Sequence, residues 1–321
     1  MLILNENHIK NIITMKGAIC AVKEAGLNYS SGKTIIPLRT NIDVKEYSGN
    51  SLYMYGYVPE SKALGVKLVS VFPENAKKGI TVCPATMVLL DAETGEVKAI
   101  MDGTYLTRLR TGALSGAATD YLSRKDSSVF ALIGTGGQAE SQLMAILAVR
   151  DIKEVRVYSR NFENVKKFID RVSVNLNQKF VACKTSDEAI DGADIITAVT
   201  VANEPVFDGR KVKRGCHVNG VGSYTPEMSE IDENIVCKAS KIFVDTLDGT
   251  INESGDFIKP LKKGIFSEKM ITGELGDLVS GKCKGRENDS ELTFFETTGS
   301  AVFDLVTGQK IYEEAIKKGM G

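Results

Sequence analysis

The sequence predicts an α/β fold made of a doubly wound parallel sheet and a second, α+β part, and three patterns carry this prediction. A glycine-rich loop separates a strand-like from a helix-like segment within residues 129–150. Strand-like and helix-like segments then alternate as far as residue 245. Between residues 34 and 101, short strand-like runs are separated by turn residues, which is typical of an antiparallel sheet.

The glycine-rich loop follows an apolar run at 129–133 and consists of Gly134, Thr135, Gly136, Gly137, Gln138 and Ala139. Gly134 permits a tight turn, Gly136 lets the backbone approach a pyrophosphate, and Ala139 is small enough for the next helix to pack on the strand. The helix N-terminus would bind the phosphates. We predict a Rossmann domain that binds a nicotinamide or flavin nucleotide; a glycine-rich turn in another α/β protein is the alternative.

The end of the next strand, at 154–158, bears on which nucleotide is bound. Ser159, Arg160 and Asn161 follow it, and no carboxylate stands where one would bind a ribose 2′-hydroxyl. Because a guanidinium and a hydroxyl suit a 2′-phosphate, we predict that Ser159 and Arg160 favour NADP(H). If Arg160 contacts only solvent or stacks on adenine, NAD(H) remains possible.

Composition excludes several classes of protein. Hydrophobic residues at 43% and charged residues at 25% are ordinary for a globular enzyme. The net charge of −1, without a dense cationic tract, argues against nucleic-acid or membrane partners. There is no run of about 18 apolar residues and no signal-peptide pattern, so we expect a cytoplasmic protein. The six cysteines are scattered without a C-x-x-C pair, which predicts reduced thiols and no metal site.

The periodicity places the elements of both parts. In the first part we predict one or two helices within 3–30, a helix at 107–122, and strands at 34–38, 51–57, 65–72, 85–90 and 97–101. In the second we predict strands at 128–133, 154–158, 179–182, 194–198, 216–221 and 241–245, with helices at 138–149, 162–174 and 186–191. Residues after 250 look loopier. An apolar stripe predicts a last helix at 300–318 that packs on the first part; packing on the second part alone is the alternative. The expected domains are 1–115 with 303–321, and 116–302.

Three cations in the first part are candidates for binding a carboxylate substrate. Lys67 lies in an otherwise apolar strand, so it is either an edge lysine that reaches solvent or a buried functional residue. Arg110 is predicted to open a helix, where anions bind well. Arg39 follows a short strand-like run. Arginine binds carboxylates in a bidentate manner, so these cations would suit such a substrate if they converge.

These residues also carry a resemblance to the ornithine cyclodeaminase/mu-crystallin family. Besides the glycine loop, the similar segments are Ala63–Pro73, Asp91–Gly95, Met101–Ala113, Glu274–Gly281 and Gly285-Arg286. The resemblance implies a Rossmann domain joined to a substrate and dimerisation domain built from both chain ends, and therefore a homodimer. It further implies that Arg39, Lys67 and Arg110 hold the substrate carboxylate beside the nicotinamide, which lies near Thr298. We also assign Thr200 to the cofactor site.

The family divides by reaction, although its members share hydride exchange between an amino-acid α-carbon and nicotinamide C4. The resemblance implies that a cyclodeaminase would carry two acidic residues: a carboxylate on the strand that matches 51–55 and an aspartate after the segment near 221–224. This chain has Leu52 and Tyr224 there, although Tyr224 could donate a proton and Glu227 could take part. We therefore predict an NAD(P)H-dependent oxidoreductase of a small amino or imino acid, either a cyclic imine reductase or an amino-acid dehydrogenase. Ornithine cyclodeaminase and a non-enzymatic binding protein are the alternatives.

The predicted roles follow from these assignments. Arg39 and Arg110 clamp the carboxylate, and Lys67 either pairs with it or protonates the imine nitrogen as a general acid. Tyr224 belongs to the substrate site. Leu52, Tyr53 and Tyr55 line a pocket wall or, alternatively, belong to the strand core or a dimer interface.

Overall fold

The computed structural model describes residues 1–320 and divides the chain into two compact units. The terminal unit consists of Met1–Arg110 together with the residues from Ser300 onwards. The central unit is Thr111–Gly299. No helix within residues 1–320 combines the length and the apolar character needed to cross a membrane.

The terminal unit is an α+β structure around one sheet. Within the described residues this sheet has six strands, in the order β1-β6-β5-β4-β3-β2. They are β1 (Leu2–Leu4), β2 (Thr40–Val44), β3 (Gly49–Val58), β4 (Ala63–Val71), β5 (Ala85–Leu90) and β6 (Val97–Asp102). Only β1 pairs in parallel, with β6. The helices are α1 (Glu6–Ile12), α2 (Met15–Ser30), the first turns of α3 (Gly103–Leu122), and α11 (Ala301–Lys317); short 3-10 segments lie at Lys45–Tyr47, Pro59–Ser61 and Pro73–Lys78.

One face of this sheet is covered by α11. Side chains at alternate positions of the central strands are buried on that face, including Leu52, Met54, Val69, Met87 and Leu89. A Cβ added at position 308 of α11 would lie 3.6 Å from the side chain of Met87. The last helix therefore packs on the sheet of the first part, as its apolar stripe predicts.

Two predictions for this unit are wrong in detail and one is confirmed. Residues 34–38 form no strand, because only Ile35 pairs, through an isolated bridge with Tyr57; the edge strand is β2. The prediction of one or two helices within 3–30 is confirmed by α1 and α2, and Thr14 caps the second by accepting from the amide of Gly17. Helix α3 begins four residues before the predicted start at 107, at Gly103.

The central unit is a doubly wound parallel sheet, which confirms the predicted Rossmann architecture. In the described chain its eight strands follow the order β13-β12-β14-β11-β10-β7-β8-β9, and every neighbouring pair is parallel. They are β7 (Val129–Ile133), β8 (Glu154–Tyr158), β9 (Lys179–Ala182), β10 (Ile195–Ala198), β11 (His217–Gly220), β12 (Lys241–Val244), β13 (Gly273–Glu274) and β14 (Thr293–Glu296).

Helices follow most of these strands along the chain. The remainder of α3 precedes β7. The other helices of this unit are α4 (Ala139–Val149), α5 (Phe162–Val172), α6 (Ser186–Ile190), α7 (Glu233–Lys238), α8 (Leu247–Glu253), α9 (Gly255–Lys262) and α10 (Leu275–Ser280), with 3-10 segments at Ser173–Asn175, Gly209–Lys211 and Glu268–Met270. Strand β7 sends Ala131 and Ile133 into one apolar cluster and Phe130 and Leu132 into another. Both faces of the sheet are therefore covered at β7, which explains why this strand is a continuous apolar run.

The loopy character predicted after residue 250 is wrong. Helices α8, α9 and α10 lie there, and so do β13 and β14. Strand β14 is internal to the sheet, between β11 and β12. It spans only four residues, so it is too short for a periodic pattern to be distinguished from a loop.

Candidate functional site

A buried cluster of charges in the terminal unit contains two of the predicted substrate-binding residues. Lys67 lies in the middle of β4, its side chain 1% exposed, on the sheet face that α11 covers. Its Nζ atom lies 2.7 Å from Oδ2 of Asp304, which belongs to the first turn of α11. The contact is an ion pair whose angles do not meet those of a hydrogen bond. The Nε atom of Arg110 donates to Oδ1 of Asp304 at 2.9 Å. One carboxylate thus contacts both cations.

The cluster retains unused positive charge. Arg110 Nη1 is buried and has no hydrogen-bond partner among the described residues. An unpartnered N–H of a buried guanidinium is costly, so this atom is where an incoming anion would bind. Arg39 is half-buried and close enough for its charge to act on Lys67. The terminal unit therefore brings the three predicted cations into one electrostatic environment.

Arg110 does not open a helix, and that prediction is corrected. Helix α3 starts at Gly103, so Arg110 lies in its third turn. The effect of a helix N-terminus fades within the first turn, so it does not assist anion binding at Arg110. The group that could bind an anion at this position is therefore the guanidinium of Arg110 itself, which Asp304 holds.

Lys67 is tuned to change its charge near neutral pH. Burial lowers the pKa of Lys67 to about 7, and the positive charges of Arg110 and Arg39 act in the same direction. The negative charge of Asp304 opposes this shift. A lysine with a pKa near neutrality can hold a proton and release it, as a general acid must.

The alternation of β3 separates the residues that were assigned together to a pocket wall. Leu52 and Met54 are buried on the Lys67 face of the sheet. Tyr53, which pairs with Leu68, lies on the face opposite to Lys67, and Tyr55 is the next residue of β3 on that face. The two tyrosines therefore do not line a pocket at Lys67.

The glycine loop of the central unit has the shape that a pyrophosphate requires. Gly134 follows β7 with φ +113°, and an added Cβ would lie 2.5 Å from the carbonyl oxygen of Val199. At Gly136 an added Cβ would meet no atom within 4 Å, so the backbone faces open space. Helix α4 begins at the buried Ala139, and the side chain of Gln138 makes no capping hydrogen bond. The first turn of α4 can therefore donate to phosphate oxygens, and the residues fit a dinucleotide.

The polar residues that follow β8 lie at or near the surface of the central unit. Ser159 is half-buried and Arg160 is exposed. Asn161 caps α5 by accepting from the amides of Glu163 and Asn164, so its side-chain oxygen is engaged. Ser159 and Arg160 are the polar side chains that remain at this strand end.

Three further predicted residues follow strands at the same edge of the sheet. Thr200 follows β10, Tyr224 follows β11, and Thr298 follows β14, and these strands are neighbours. Thr298 Oγ1 is buried without a hydrogen-bond partner among the described residues, which marks it as available to a ligand. Tyr224 is half-buried, whereas Glu227 is exposed.

Glu230 is a residue of this edge that sequence reasoning missed. Its fully buried carboxylate accepts hydrogen bonds from the amides of Thr200 at 2.6 Å, Val221 at 3.0 Å and Gly222 at 2.5 Å. It thus joins the segments that follow β10 and β11. Burial raises the pKa of Glu230 to about 7, with the charge of Asp256 in the same direction and the amides opposing.

Asp304 is the second residue that was missed, and here a signal was present. It stands among Val302, Phe303, Leu305 and Val306 in the predicted final helix. An acid inside an apolar run indicates a buried charge that needs a partner, which is the same argument that singled out Lys67. For Glu230 no comparable pattern exists, since its neighbours are mixed.

The two parts define a class of protein: a dinucleotide-dependent oxidoreductase whose substrate carries a carboxylate. A family model described as the ornithine cyclodeaminase/mu-crystallin family matches residues 1–319. The chain belongs to this family. It is an enzyme that exchanges hydride between a nicotinamide cofactor and the CH–NH bond of a small amino or imino acid.

Relatives of known activity match nearly the whole chain. The Δ1-pyrroline-2-carboxylate reductase of Bacillus thuringiensis subsp. konkukian is 37% identical over 321 residues, which cover 100% of this chain and 98% of that protein. The ketimine reductase mu-crystallin of Rattus norvegicus is 31% identical over 318 residues, covering 97% and 96% of the two chains.

Two solved structures are similar to this chain over its whole length. The Thermococcus litoralis Δ1-pyrroline-2-carboxylate reductase in complex with NADH and L-proline matches with a TM-score of 0.96 and 42% identity, covering 100% of this chain and 99% of that one. An archaeal alanine dehydrogenase dimer with bound NAD matches with a TM-score of 0.92 and 34% identity, covering 100% and 98%.

We predict that Gly136→Val weakens dinucleotide binding roughly tenfold or more without lowering the melting temperature, because its side chain would enter open space that a pyrophosphate needs. Nucleotide titration followed by fluorescence, together with thermal unfolding, measures both effects. Gly134→Ala is the contrasting variant: its positive φ and the contact with Val199 mean that it should lose stability as well as binding. Wild-type affinity in Gly136→Val would contradict this assignment of the loop.

Proposed function

We propose that this enzyme reduces Δ1-pyrroline-2-carboxylate, a five-membered cyclic imino acid, to L-proline with NADPH. The observation that carries the proposal is the composition of the sheet face around Lys67. Cations and one engaged carboxylate lie there, and the β3 residues opposite and next to Lys67 on this face include the apolar Met54 and Leu52. This surface suits a carboxylate attached to an apolar ring. It offers no acid on β3 to bind the side-chain ammonium group of ornithine, which disfavours cyclodeamination.

Relatives support the same substrate. The Bacillus relative and the Thermococcus litoralis structure both bear the name of this reductase, and the latter contains L-proline. Structures of a probable ornithine cyclodeaminase and a lysine cyclodeaminase are 22% and 24% identical, and their likeness concerns the fold.

The proposed mechanism assigns each side chain a task. Arg110, through its unpartnered Nη1 atom, and Arg39 bind the substrate carboxylate. Lys67 donates a proton to the imine nitrogen, which makes the α-carbon a better hydride acceptor. The reduced nicotinamide, when bound, supplies the hydride. Residues 134–139 hold the pyrophosphate, and Thr200, Tyr224 and Thr298 belong to the edge of the sheet that takes the nicotinamide half. Tyr224 is assigned to the substrate.

Lys67→Met should lower kcat/KM for the imine at least ~100-fold, because the proton donor is lost. In the wild type, kcat/KM should fall as the pH rises through about 7, since Lys67 then loses its proton. NADPH oxidation at 340 nm across a pH series measures both, with the exposed Lys16→Met as the matched control. Ammonia release from L-ornithine in the presence of NAD⁺, without a net absorbance change at 340 nm, would instead indicate a cyclodeaminase.

NADPH is proposed as the preferred cofactor because Arg160 is exposed at the end of β8 and no carboxylate stands beside it. Arg160→Ala should lower kcat/KM for NADPH by roughly tenfold and leave that for NADH nearly unchanged, since only the 2′-phosphate pairs with the guanidinium. Steady-state kinetics with both cofactors tests this, and Arg171→Ala, another exposed arginine of the same unit, is the control. A wild-type enzyme that prefers NADH would refute the preference.

A homodimer is proposed from the sheet face opposite to Lys67, which carries apolar side chains. Tyr55 and Leu68 on that face are 41% and 40% exposed, and the archaeal alanine dehydrogenase relative is a dimer. Tyr55→Lys should shift the enzyme towards the monomer in sedimentation equilibrium, because it places a charge in an apolar interface. Val174→Lys, at an exposed position of the central unit, should leave the mass unchanged. A monomeric wild type would exclude the dimer.

A further inference from the structure

Asp304 occupies an unusual position for a carboxylate. It is fully buried, in the first turn of α11, where the helix dipole favours a negative charge. Its two oxygens contact cations from two other elements, Lys67 from β4 and Arg110 from α3. A buried charge is costly unless it is paired, so this arrangement is not the simplest way to fill a core.

The contacts of Asp304 determine which atoms of the cations remain available. Because Asp304 engages Arg110 through Nε, the guanidinium is held in one orientation and Nη1 is left without a partner. Asp304 contacts Lys67 through Oδ2 alone, and an ammonium has three N–H donors. Both cations are thus fixed in place while keeping donors for a ligand.

We propose that Asp304 is a positioning residue, which holds Lys67 and Arg110 in the arrangement that receives the carboxylate and the imine nitrogen of one substrate molecule. The inference rests on the proposed imine reduction. Asp304 touches neither substrate nor cofactor in this role; it acts through the two cations.

Asp304 also supplies the negative charge that Lys67 needs to remain an ammonium group. The groups whose charges act on Lys67 come from several elements: Arg110 on α3, Arg39 before β2 and Asp304 on α11. The thiol of Cys83, before β5, also lies within reach of the charges of Lys67 and Arg108. In the described chain, Asp304 is the carboxylate of this set. Since burial and the arginines lower the pKa of Lys67, removal of Asp304 would lower it further.

The test compares Asp304→Asn, which keeps the shape and removes the charge, with Asp304→Glu, which keeps the charge and moves it. For Asp304→Asn, kcat/KM for Δ1-pyrroline-2-carboxylate at neutral pH should fall at least ~100-fold, and the basic limb of its pH profile should move down by about one unit or more. The affinity for NADPH should not change. For Asp304→Glu, the basic limb should stay near that of the wild type while KM for the imine rises roughly tenfold.

Glu24→Gln is the matched control, because Glu24 also contacts α11, through Lys310, and acts on neither Lys67 nor Arg110. Asp304→Asn with a wild-type rate and pH profile would overturn the inference. If that variant does not fold, Asp304→Glu decides: wild-type KM and wild-type pH profile together would overturn it. If the wild type itself does not reduce the imine, the proposed function fails. In that case the pH dependence of L-proline binding in the wild type and the variants tests Asp304 separately, and an unchanged basic limit would overturn its role.

Discussion

The contact of one buried carboxylate with two buried cations is the interaction on which the terminal unit depends. Asp304, Lys67 and Arg110 come from α11, β4 and α3, and each would be costly to bury alone. Their attraction therefore fixes the last helix against the sheet at one position. Because the cations outnumber the carboxylate, the same contact leaves a positive charge inside the unit, which the proposed binding of a substrate carboxylate would balance.

The central unit solves a related problem with a carboxylate and backbone amides. Glu230 accepts from three N–H groups in the segments after β10 and β11, where a buried donor without a partner would be costly. After β14, Asp245 accepts hydrogen bonds from the hydroxyl of Thr297 and the amide of Gly299. Loops at the carboxyl edge of a parallel sheet are usually the mobile part of such folds. Here hydrogen bonds to buried acids hold the segments that follow β10, β11 and β14.

The sequence predicts most of the central fold because its signals are local. The limits of β8 and β9 agree with prediction to the residue, as do those of β5 in the terminal unit, and the glycine loop has the expected turn. What failed depends on distant partners. Strands β1 and β14 are too short to show a hydrophobic period. Helix α3 starts earlier than predicted, so Arg110 lies inside the helix and not at its N-terminus. Asp304 and Arg110 are 194 residues apart, so their contact follows from the tertiary fold alone. The roles of the candidate site residues stay predictions.

The discontinuous terminal unit has a consequence for the order of folding during synthesis. The residues of the central unit are contiguous and can form their sheet as they leave the ribosome. Strands β1 to β6 are made earlier, yet their inner face stays uncovered until α11 emerges. During that interval Lys67 and Arg110 have no Asp304 beside them, and the apolar face around them is open to other chains. The terminal unit can therefore acquire its packed core only after the central unit has been translated, although most of its residues are made first.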